Sequence, residues 1–522
     1  MARRTQFISV FPANGGLQTA NNPALIPIAN LKDINNIIFT NDTSRRTRPG
    51  RKRFDDASSL TEVSNFKYLK DFWRYDSTSG SLRNKIVCVV NGKVFADDGG
   101  NGVFTNITGT FTIPATDAVT MDVFANLLIM AFENVTPKKY NHSGNILNLG
   151  GSPPQGSLYR THAGYGWLGG IQSAPHTVYK SDADDPENWS SGSAESITVN
   201  DGDGDPDGVT ALFPTFYEDM YVAKRRMLYR IRQSSTGTFS VALILAGVGC
   251  VSHNSVVALQ NDIIFASERG IHSLAATQKY GDVESAFLTA PIHDIYNEKL
   301  DFSRAKQMNA CYIPEFNSYM VTFPKRGSST SKDILGYNLI NGQWYQFKGV
   351  NAQFLTQFIN SRKKTVLMTG DSNGRISTFS FDQKNDYDTT AIDSDFTTGI
   401  IYPLGPQRIV SFKSLMVVFK PQGTSTFTVT TTIDGTDVDE LSYDQEGADA
   451  DNLGADFILG IARLGRRGNI KTQVRPLSGQ GRGIQLKFER NPSGSHLNQG
   501  MEVYGYILEF VDNEASDEAA VQ

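Results

Sequence analysis

Residues 201–208 read Asp-Gly-Asp-Gly-Asp-Pro-Asp-Gly and place carboxylates at alternate positions. Such an arrangement can converge on a hard cation such as Ca²⁺. An EF-hand loop, however, needs Gly at its sixth position and Glu at its twelfth, where this chain has Pro206 and Leu212. A solvated turn in which aspartates cap backbone amides accounts for the same residues, so we predict no metal site. The loop acids that we expect to supply negative surface charge are Asp201, Asp203 and Asp205.

A basic run, Arg-Arg-Thr-Arg-Pro-Gly-Arg-Lys-Arg, occupies residues 45–53. It could contact nucleic acid or an acidic partner, or it could be a solvated turn around Pro49 and Gly50. Because the chain as a whole is acidic, we favour docking to protein over docking to DNA. The predicted docking residues are Arg45, Arg46, Arg48, Arg51, Lys52 and Arg53.

Motifs for catalysis are scarce. None of the seven histidines is spaced His-x-x-x-His or stands in a zinc pattern with cysteine, and neither a Gly-x-Ser-x-Gly elbow nor a phosphate-binding P-loop occurs. Carboxylate pairs such as Asp184 and Asp185 leave a glycosidase open, since that activity depends on a distance across a cleft. We predict a protein that is not an enzyme and needs no cofactor.

Composition sets the class of protein. Of the 522 residues, 39% are hydrophobic, which is enough for a core and excludes general disorder. Lys and Arg total 49 against 54 Asp and Glu, so the formal charge is −5, unlike a protein that coats nucleic acid. No apolar run approaches 18 residues, and no transmembrane helix is expected. Three distant cysteines, Cys88, Cys250 and Cys311, predict buried, reduced thiols.

Short apolar runs with alternation of period two dominate the chain and predict strands. Asn-Gly and Asp-Gly pairs lie between them and favour type I′ hairpin turns, because both residues tolerate positive φ. Helical periodicity is confined to a short segment, residues 286–299. These turns are expected at residues 91–92, 98–99, 341–342, 373–374 and 434–435.

The strand groups recur at a regular distance. Successive starts differ by 37 residues (86 to 123) up to 53 residues (256 to 309), and a four-stranded propeller blade needs about 40–50 residues. The predicted fold is all-β: an N-terminal arm (1–60), a β-propeller of six to seven blades (61–400) and a C-terminal β-sandwich or jelly roll (401–522). Unrelated sandwich strands remain an alternative. The starts lie near residues 86, 123, 165, 211, 256, 309 and 354.

Several segments, taken in order, resemble the tail nozzle or tail hub proteins of short-tailed bacteriophages, also called packaged-DNA stabilisation proteins. Residues 15–23 (GGLQTANNP), 37–42 (IIFTND) and 48–50 (RPG) are similar to the opening of that family. Residues 173–189 (SAPHTVYKSDADDPENW) resemble one of its propeller segments, and residues 249–274 resemble it most. The resemblance covers residues 15–380 in pieces and does not extend to the C-terminal unit.

The resemblance implies a structural virion protein, made in the host cytoplasm and located in the tail. It implies a ring, commonly a homohexamer, below the portal and head-to-tail adaptor proteins, in contact with tail fibre or needle proteins. Packaged DNA would be retained by this ring and pass through its lumen without sequence-specific binding. An acidic wall would let DNA slide, since it repels phosphates.

Two other functions remain open. A receptor-binding or adhesion propeller, with or without calcium, would bind a cell-surface sugar. A propeller glycosidase would depend on a pair of carboxylates.

Overall fold

The computed structural model describes residues 5–41, 43–56, 59–60, 64–97, 99–199, 206–215, 219–234, 237–259, 262–274, 287–360, 362–423, 425–445, 470–490 and 497–513. It divides the chain into two compact units. The first unit comprises Met1–Lys52, Gly336–Lys348 and Phe379–Gln522, and the second comprises Arg53–Leu335 and Gly349–Thr378.

The described residues form strands and a few short helical turns. The strands are β1 Thr5–Val10, β2 Leu31–Asn35, β3 Ile37–Phe39, β4 Arg45–Thr47, β5 Gly50–Arg53, β6 Phe66–Asp76, β7 Ser81–Val90, β8 Lys93–Asp97, β9 Phe104–Asn106, β10 Val119–Phe124, β11 Leu127–Phe132, β12 Lys138–Tyr140, β13 Leu147–Asn148, β14 Leu158–His162, β15 Tyr165–Gly169, β16 Thr177–Lys180, β17 Glu195–Thr198, β18 Ala211–Leu212, β19 Met220–Ala223, β20 Met227–Gln233, β21 Phe239–Ala246, β22 Val257–Ala258, β23 Ile263–Ala266, β24 Ile271–Ser273, β25 Ala310–Ile313, β26 Ser318–Pro324, β27 Lys332–Asn338, β28 Gln343–Phe347, β29 Ala352–Ile359, β30 Thr365–Asp371, β31 Ile376–Ser380, β32 Ser394–Thr398, β33 Val410–Phe419, β34 Thr426–Ile433, β35 Thr436–Asp444, β36 Lys471–Pro476, β37 Gln480–Gly481, β38 Ile484–Arg490 and β39 Glu502–Asp512. The helical turns are Pro23–Leu25, His253–Ser255, Ala290–Ile292, Ile295–Lys299, Phe302–Gln307 and Pro314–Phe316.

The second unit is built from seven successive antiparallel sheets. Counting only the strands that belong to this unit, their orders are β6-β7-β8-β9, β10-β11-β12-β13, β14-β15-β16-β17, β18-β19-β20-β21, β22-β23-β24, β25-β26-β27 and β29-β30-β31. Tight turns keep consecutive strands adjacent: Asn91 (φ 50°) and Gly92 (φ 74°) join β7 to β8 with two positive φ values, as the sequence predicted. Seven sheets agree with the seven strand groups that recur in the sequence.

These sheets are apolar on both faces. Strands β19, β23 and β26 are buried along their whole length, which explains why the sequence shows continuous apolar runs there. One sheet cannot cover both faces by itself, so each packs between two neighbours. The first and seventh sheets close the circle, with the rings of Tyr68 and Phe354 only 4.4 Å apart. The second unit is therefore a seven-bladed β-propeller, here called the propeller unit.

The first unit is a β-sandwich, here called the sandwich unit. One sheet has the order β3-β4-β39-β33-β36, with β1 also on β39 and β37 on β33, and the other has the order β2-β32-β38-β34-β35. The sheets face each other through aromatic side chains. The ring of Phe419 lies 5.1 Å from that of Phe427, and the Tyr443 hydroxyl donates to the carbonyl of Leu415 over 2.9 Å.

The N-terminal segment belongs to this sandwich. Strand β1 pairs with β39, with Thr5 opposite Val511, and β2 pairs with β32. Residues 1–52 thus share a unit with the C-terminal strands, whereas the sequence analysis separated an arm (1–60) from a C-terminal domain (401–522). Local patterns carry no signal for pairing between residues some 500 positions apart.

Helical structure is minor. In the segment predicted to be helical, the structure describes residues 287–299, which contain the turns Ala290–Ile292 and Ile295–Lys299. In the described ranges, no helix is both long and apolar enough to span a membrane.

We expect Phe354→Ala to destabilise the propeller unit by about 3–5 kcal/mol, because it removes a large buried ring where the first and seventh sheets meet. Urea unfolding followed by intrinsic fluorescence measures the change. Leu82→Ala is the control, since Leu82 is 64% exposed in the same unit and should change stability by less than about 0.5 kcal/mol. Equal effects of the two substitutions would contradict closure of the circle through Phe354.

Candidate functional site

The propeller unit encloses a cavity of about 400 Å³ that residues from all seven sheets line. Its lining residues come from segments before or at the start of the first strand of a sheet, or from the connection between the second and third strands, including the start of the third. Adjacent antiparallel strands bring these positions to the same edge of each blade, so the cavity opens on one face of the propeller. One lining residue from each successive sheet is Lys67, Asp117, Leu158, Thr210, His253, Asn309 and Gln353.

Positive charge prevails in this cavity. Four cationic side chains, Lys67, Arg304, Lys306 and Lys332, line it together with two carboxylates, Asp117 and Glu133. None of the described carboxylates forms a direct ion pair with Lys67, Arg304 or Lys332, whose hydrogen bonds go to backbone carbonyls and to a glutamine side chain.

Lys332 is the most deeply buried of these cations, with 3% of its surface exposed. Its Nζ donates to the carbonyls of Gln307 (2.8 Å) and Gln353 (3.0 Å), which hold the ammonium group between the sixth and seventh sheets. Burial and the nearby charges of Arg304 and Lys67 lower the pKa of Lys332 to about 7. Burial and the charge of Lys306 also lower the pKa of Lys67. The cations therefore repel one another within the cavity.

The two carboxylates neutralise only part of this charge. Asp117 accepts hydrogen bonds from the backbone amide (3.0 Å) and the side chain (2.7 Å) of Asn134, so it mainly fixes its own loop. Glu133 lies 3.8 Å from the Nζ of Lys306.

His253 adds no charge to the cavity. Its Nδ1 accepts from the backbone amide of Leu212 over 3.1 Å. Burial, and then the charge of Arg160, hold the pKa of His253 well below its usual range, so the ring is neutral at physiological pH.

The predicted docking cluster is largely internal to the protein. Arg45 is fully buried, lies 5.0 Å from the ring of Phe396, and donates to the carbonyls of Gly15 (2.9 Å) and Ala29 (2.5 Å). Burial lowers its pKa to about 10. Arg45 therefore fastens the N-terminal segment inside the sandwich unit instead of presenting its charge to solvent.

Arg48 and Arg51 share one buried carboxylate. Arg48 binds Asp386 through both terminal nitrogens (2.9 and 2.7 Å), and Arg51 donates to the same carboxylate from Nε (3.0 Å) and Nη2 (2.8 Å). Burial alone would raise the pKa of Asp386, but the two guanidinium groups outweigh it and hold the pKa below its usual range. These arginines are structural in the folded chain.

The remaining members of the cluster are more accessible. Arg46 is stacked 4.9 Å from the ring of Phe381, Lys52 is exposed, and Arg53 binds Asp55 over 2.7 Å. A docking role for the cluster stays a prediction, and only these three side chains could take part in it without unfolding. Asp201, Asp203 and Asp205 lie outside the described residues.

The aspartate-rich motif at residues 173–189 forms a self-capped loop. Asp182 accepts from the backbone amide (2.8 Å) and hydroxyl (2.6 Å) of Ser193, and these hydrogen bonds lower its pKa to about 2. Trp189 donates from its indole nitrogen to the carbonyl of Pro186 over 2.8 Å. The motif thus stabilises a blade and does not line the propeller cavity.

The cysteine prediction is confirmed. Cys88, Cys250 and Cys311 are free and buried, and burial raises the pKa of all three thiols. In the described ranges, no cluster of three or more metal-ligating side chains occurs.

Sequence reasoning did not identify the cavity cations. The only local sign of Lys332 is that it opens the third strand of its sheet, yet Lys93 and Lys138 open third strands as well and do not line the cavity. Only the closed circle brings Lys67, Lys306 and Lys332 together.

No protein-family model and no curated protein matches the chain. Among solved structures, BBS1N in complex with ARL6DN matches at 14% identity (TM-score 0.38), covering 64% of this chain and 98% of that one. BamB from Moraxella catarrhalis matches at 13% identity with a TM-score of 0.35, covering 64% of this chain and 98% of that one. The Neurospora crassa Pan2 WD40 domain matches at 10% identity with a TM-score of 0.37, covering 65% of this chain and 96% of that one.

We expect Asp386→Asn to destabilise the sandwich unit by about 3–5 kcal/mol at pH 7, because two buried guanidinium groups lose their counter-charge. The depressed pKa of Asp386 contributes stability above the unfolded pKa of about 4, and this contribution is lost as the pH falls below it. Urea unfolding at pH 7 and pH 3 should show a smaller acid effect in the variant. Asp33→Asn, at a half-exposed pair with Lys348, should cost less than about 1 kcal/mol. Similar losses for both variants would refute the role of Asp386.

Lys332 should make stability rise with pH. Its folded pKa of about 7 lies below the unfolded value, so between pH 7 and 10 the unfolded chain binds the extra proton and the penalty of burial is progressively relieved. The contribution reaches about 1.4 kcal/mol per pH unit. In Lys332→Met this slope should be lost, as measured by urea unfolding at pH 7, 8 and 9. Lys325→Met, at a more exposed site in the same sheet, should keep the wild-type slope.

Proposed function

We propose that the chain is a structural protein of a short-tailed bacteriophage, a tail nozzle or hub that forms a ring below the portal and adaptor. The ring retains packaged DNA and conducts it during ejection. Support comes from the ordered resemblance of residues 15–380 to that family. Two segments of that resemblance fall on separate propeller blades, residues 173–189 on the third and residues 249–274 on the fifth. In this proposal the protein acts without catalysis, and six copies surround the passage.

The observation that best supports assembly into a ring is an unpaired, apolar strand edge in the sandwich unit. Strand β1 pairs with β39 on one side, and no described strand pairs with its other side. Phe7 on this strand is 64% exposed, and Leu25 in the following segment is 73% exposed. Edge strands with exposed apolar side chains readily pair with another chain, and natural proteins usually protect them. A second copy of this chain is the occupant that a ring supplies.

The charge of the chain suits a passage for DNA. With a formal charge of −5 per copy, a ring is acidic overall, and repulsion of phosphates keeps DNA from adhering to the wall. Docking to the adaptor would then use the exposed side chain of Lys52 and the partly exposed side chains of Arg46 and Arg53.

The direct test is mass photometry and negative-stain microscopy of the purified protein with and without portal–adaptor complex. Rings of uniform mass, enriched by the complex, support the proposal. A protein that stays monomeric in the presence of the complex would overturn it.

The edge can be tested separately. In the double variant Phe7→Ser, Leu25→Ser we expect at least a tenfold loss of rings at equal concentration, since an interface that loses two apolar anchors loses a few kcal/mol. Mass photometry counts the rings, and an unchanged thermal midpoint shows that the fold is intact. The matched control is Leu82→Ser, an equally exposed apolar residue of the propeller unit. Unchanged ring formation in the double variant would place the interface elsewhere.

A receptor-binding or adhesion propeller is the second candidate, and the cationic cavity favours it. Tight binding of a host surface glycan by isolated monomers, with no ring formation, would support this function over the first. Glycosidase activity would need Asp117 and Glu133 to act as a pair, and turnover of a chromogenic glycan tests it.

A further inference from the structure

The propeller cavity has an excess of positive charge that its own residues do not neutralise. Lys67, Arg304 and Lys306 supply three positive charges, and Lys332, with its pKa of about 7, is about half protonated at neutral pH. Asp117 and Glu133 supply two negative charges, and His253 is neutral. Neither the proposed ring nor passage of DNA through it makes use of this charge.

Keeping these cations in one cavity is unfavourable for the protein alone. Lys332 is 3% exposed, and its ammonium group is held by two backbone carbonyls instead of a carboxylate. Buried charges are normally paired, so the ammonium group of Lys332, which has only carbonyl partners, is stabilised when an anion enters the cavity. Residues from the first, second and sixth sheets surround the same space, which leaves the anion several donors at once.

The size of the cavity restricts the ligand. About 400 Å³ lies within the range of small-molecule sites, roughly 300–1,000 Å³. Duplex DNA is too wide to enter a cavity of this volume, because its major groove alone is about 12 Å wide. The ligand is therefore a small molecule and not the packaged genome.

The charge and the donor types indicate the chemistry. A phosphate monoester carries about −1.5 to −2 at neutral pH, which is close to the excess of between one and two positive charges in the cavity. Arginine presents planar, paired donors that suit phosphate oxygens, and lysines add point charges around them. We propose that the propeller cavity binds a small phosphomonoester, with its phosphate group between Lys67, Arg304, Lys306 and Lys332.

Isothermal titration calorimetry at constant ionic strength tests the site on the full chain. The probes are glycerol 3-phosphate, glycerol as the same molecule without phosphate, and a single-stranded tetranucleotide. We expect one glycerol 3-phosphate per chain and no heat from glycerol. Equal heats from both small molecules, or binding of the tetranucleotide alone, would overturn the proposal.

Variants locate the binding site. Arg304→Gln should weaken glycerol 3-phosphate binding about tenfold or more, the loss expected for a charge-assisted hydrogen bond. Lys306→Gln is the second variant, because this side chain is 65% exposed and we expect its replacement to leave the fold intact. It should weaken binding severalfold. Arg83→Gln, at a 60% exposed arginine outside the cavity, is the matched control and should bind like the wild type. Wild-type affinity in both cavity variants would refute the site.

Discussion

The propeller unit rests on one constraint: each of its sheets is apolar on both faces and can be buried only between two others. The chain satisfies this by closing seven sheets into a circle, where Tyr68 of the first meets Phe354 of the seventh. The cavity is a by-product of that closure, because the blades cannot fill the space around their common axis. The charge of the cavity is determined by the side chains that line it, and four of them are cationic.

Much of the propeller could be predicted from the sequence, because its strands are contiguous and their turns are local. The Asn91-Gly92 turn has the two positive φ values that its residue types favour. The sandwich could be predicted only in part. Its C-terminal strands alternate clearly in β34 and β38, but the pairing of β1 and β2 with distant strands has no local signature. Pairings of long sequence separation depend on the whole fold.

The candidate site illustrates why clusters along a sequence and clusters in space differ. The basic run at residues 45–53 is the most conspicuous charge pattern in the sequence. Its members Arg48 and Arg51, however, form buried ion pairs with Asp386, which is more than 330 positions away. The cations of the cavity, by contrast, are spread along the chain from Lys67 to Lys332, and only Arg304 and Lys306 are close in sequence. No window of sequence contains them together, so only the closed circle reveals that they share a space.

The pairing of the first strand with the last one has a consequence for biosynthesis. Strand β1 leaves the ribosome before its partner β39, which is made roughly 500 residues later, after about 25–100 s at ordinary elongation rates. During that time the propeller blades can form one after another, while the backbone of β1 lacks its partner strand. The sandwich is thus completed only after β39 has been synthesised, and a chain truncated before β39 would keep β1 unpaired and accessible to chaperones.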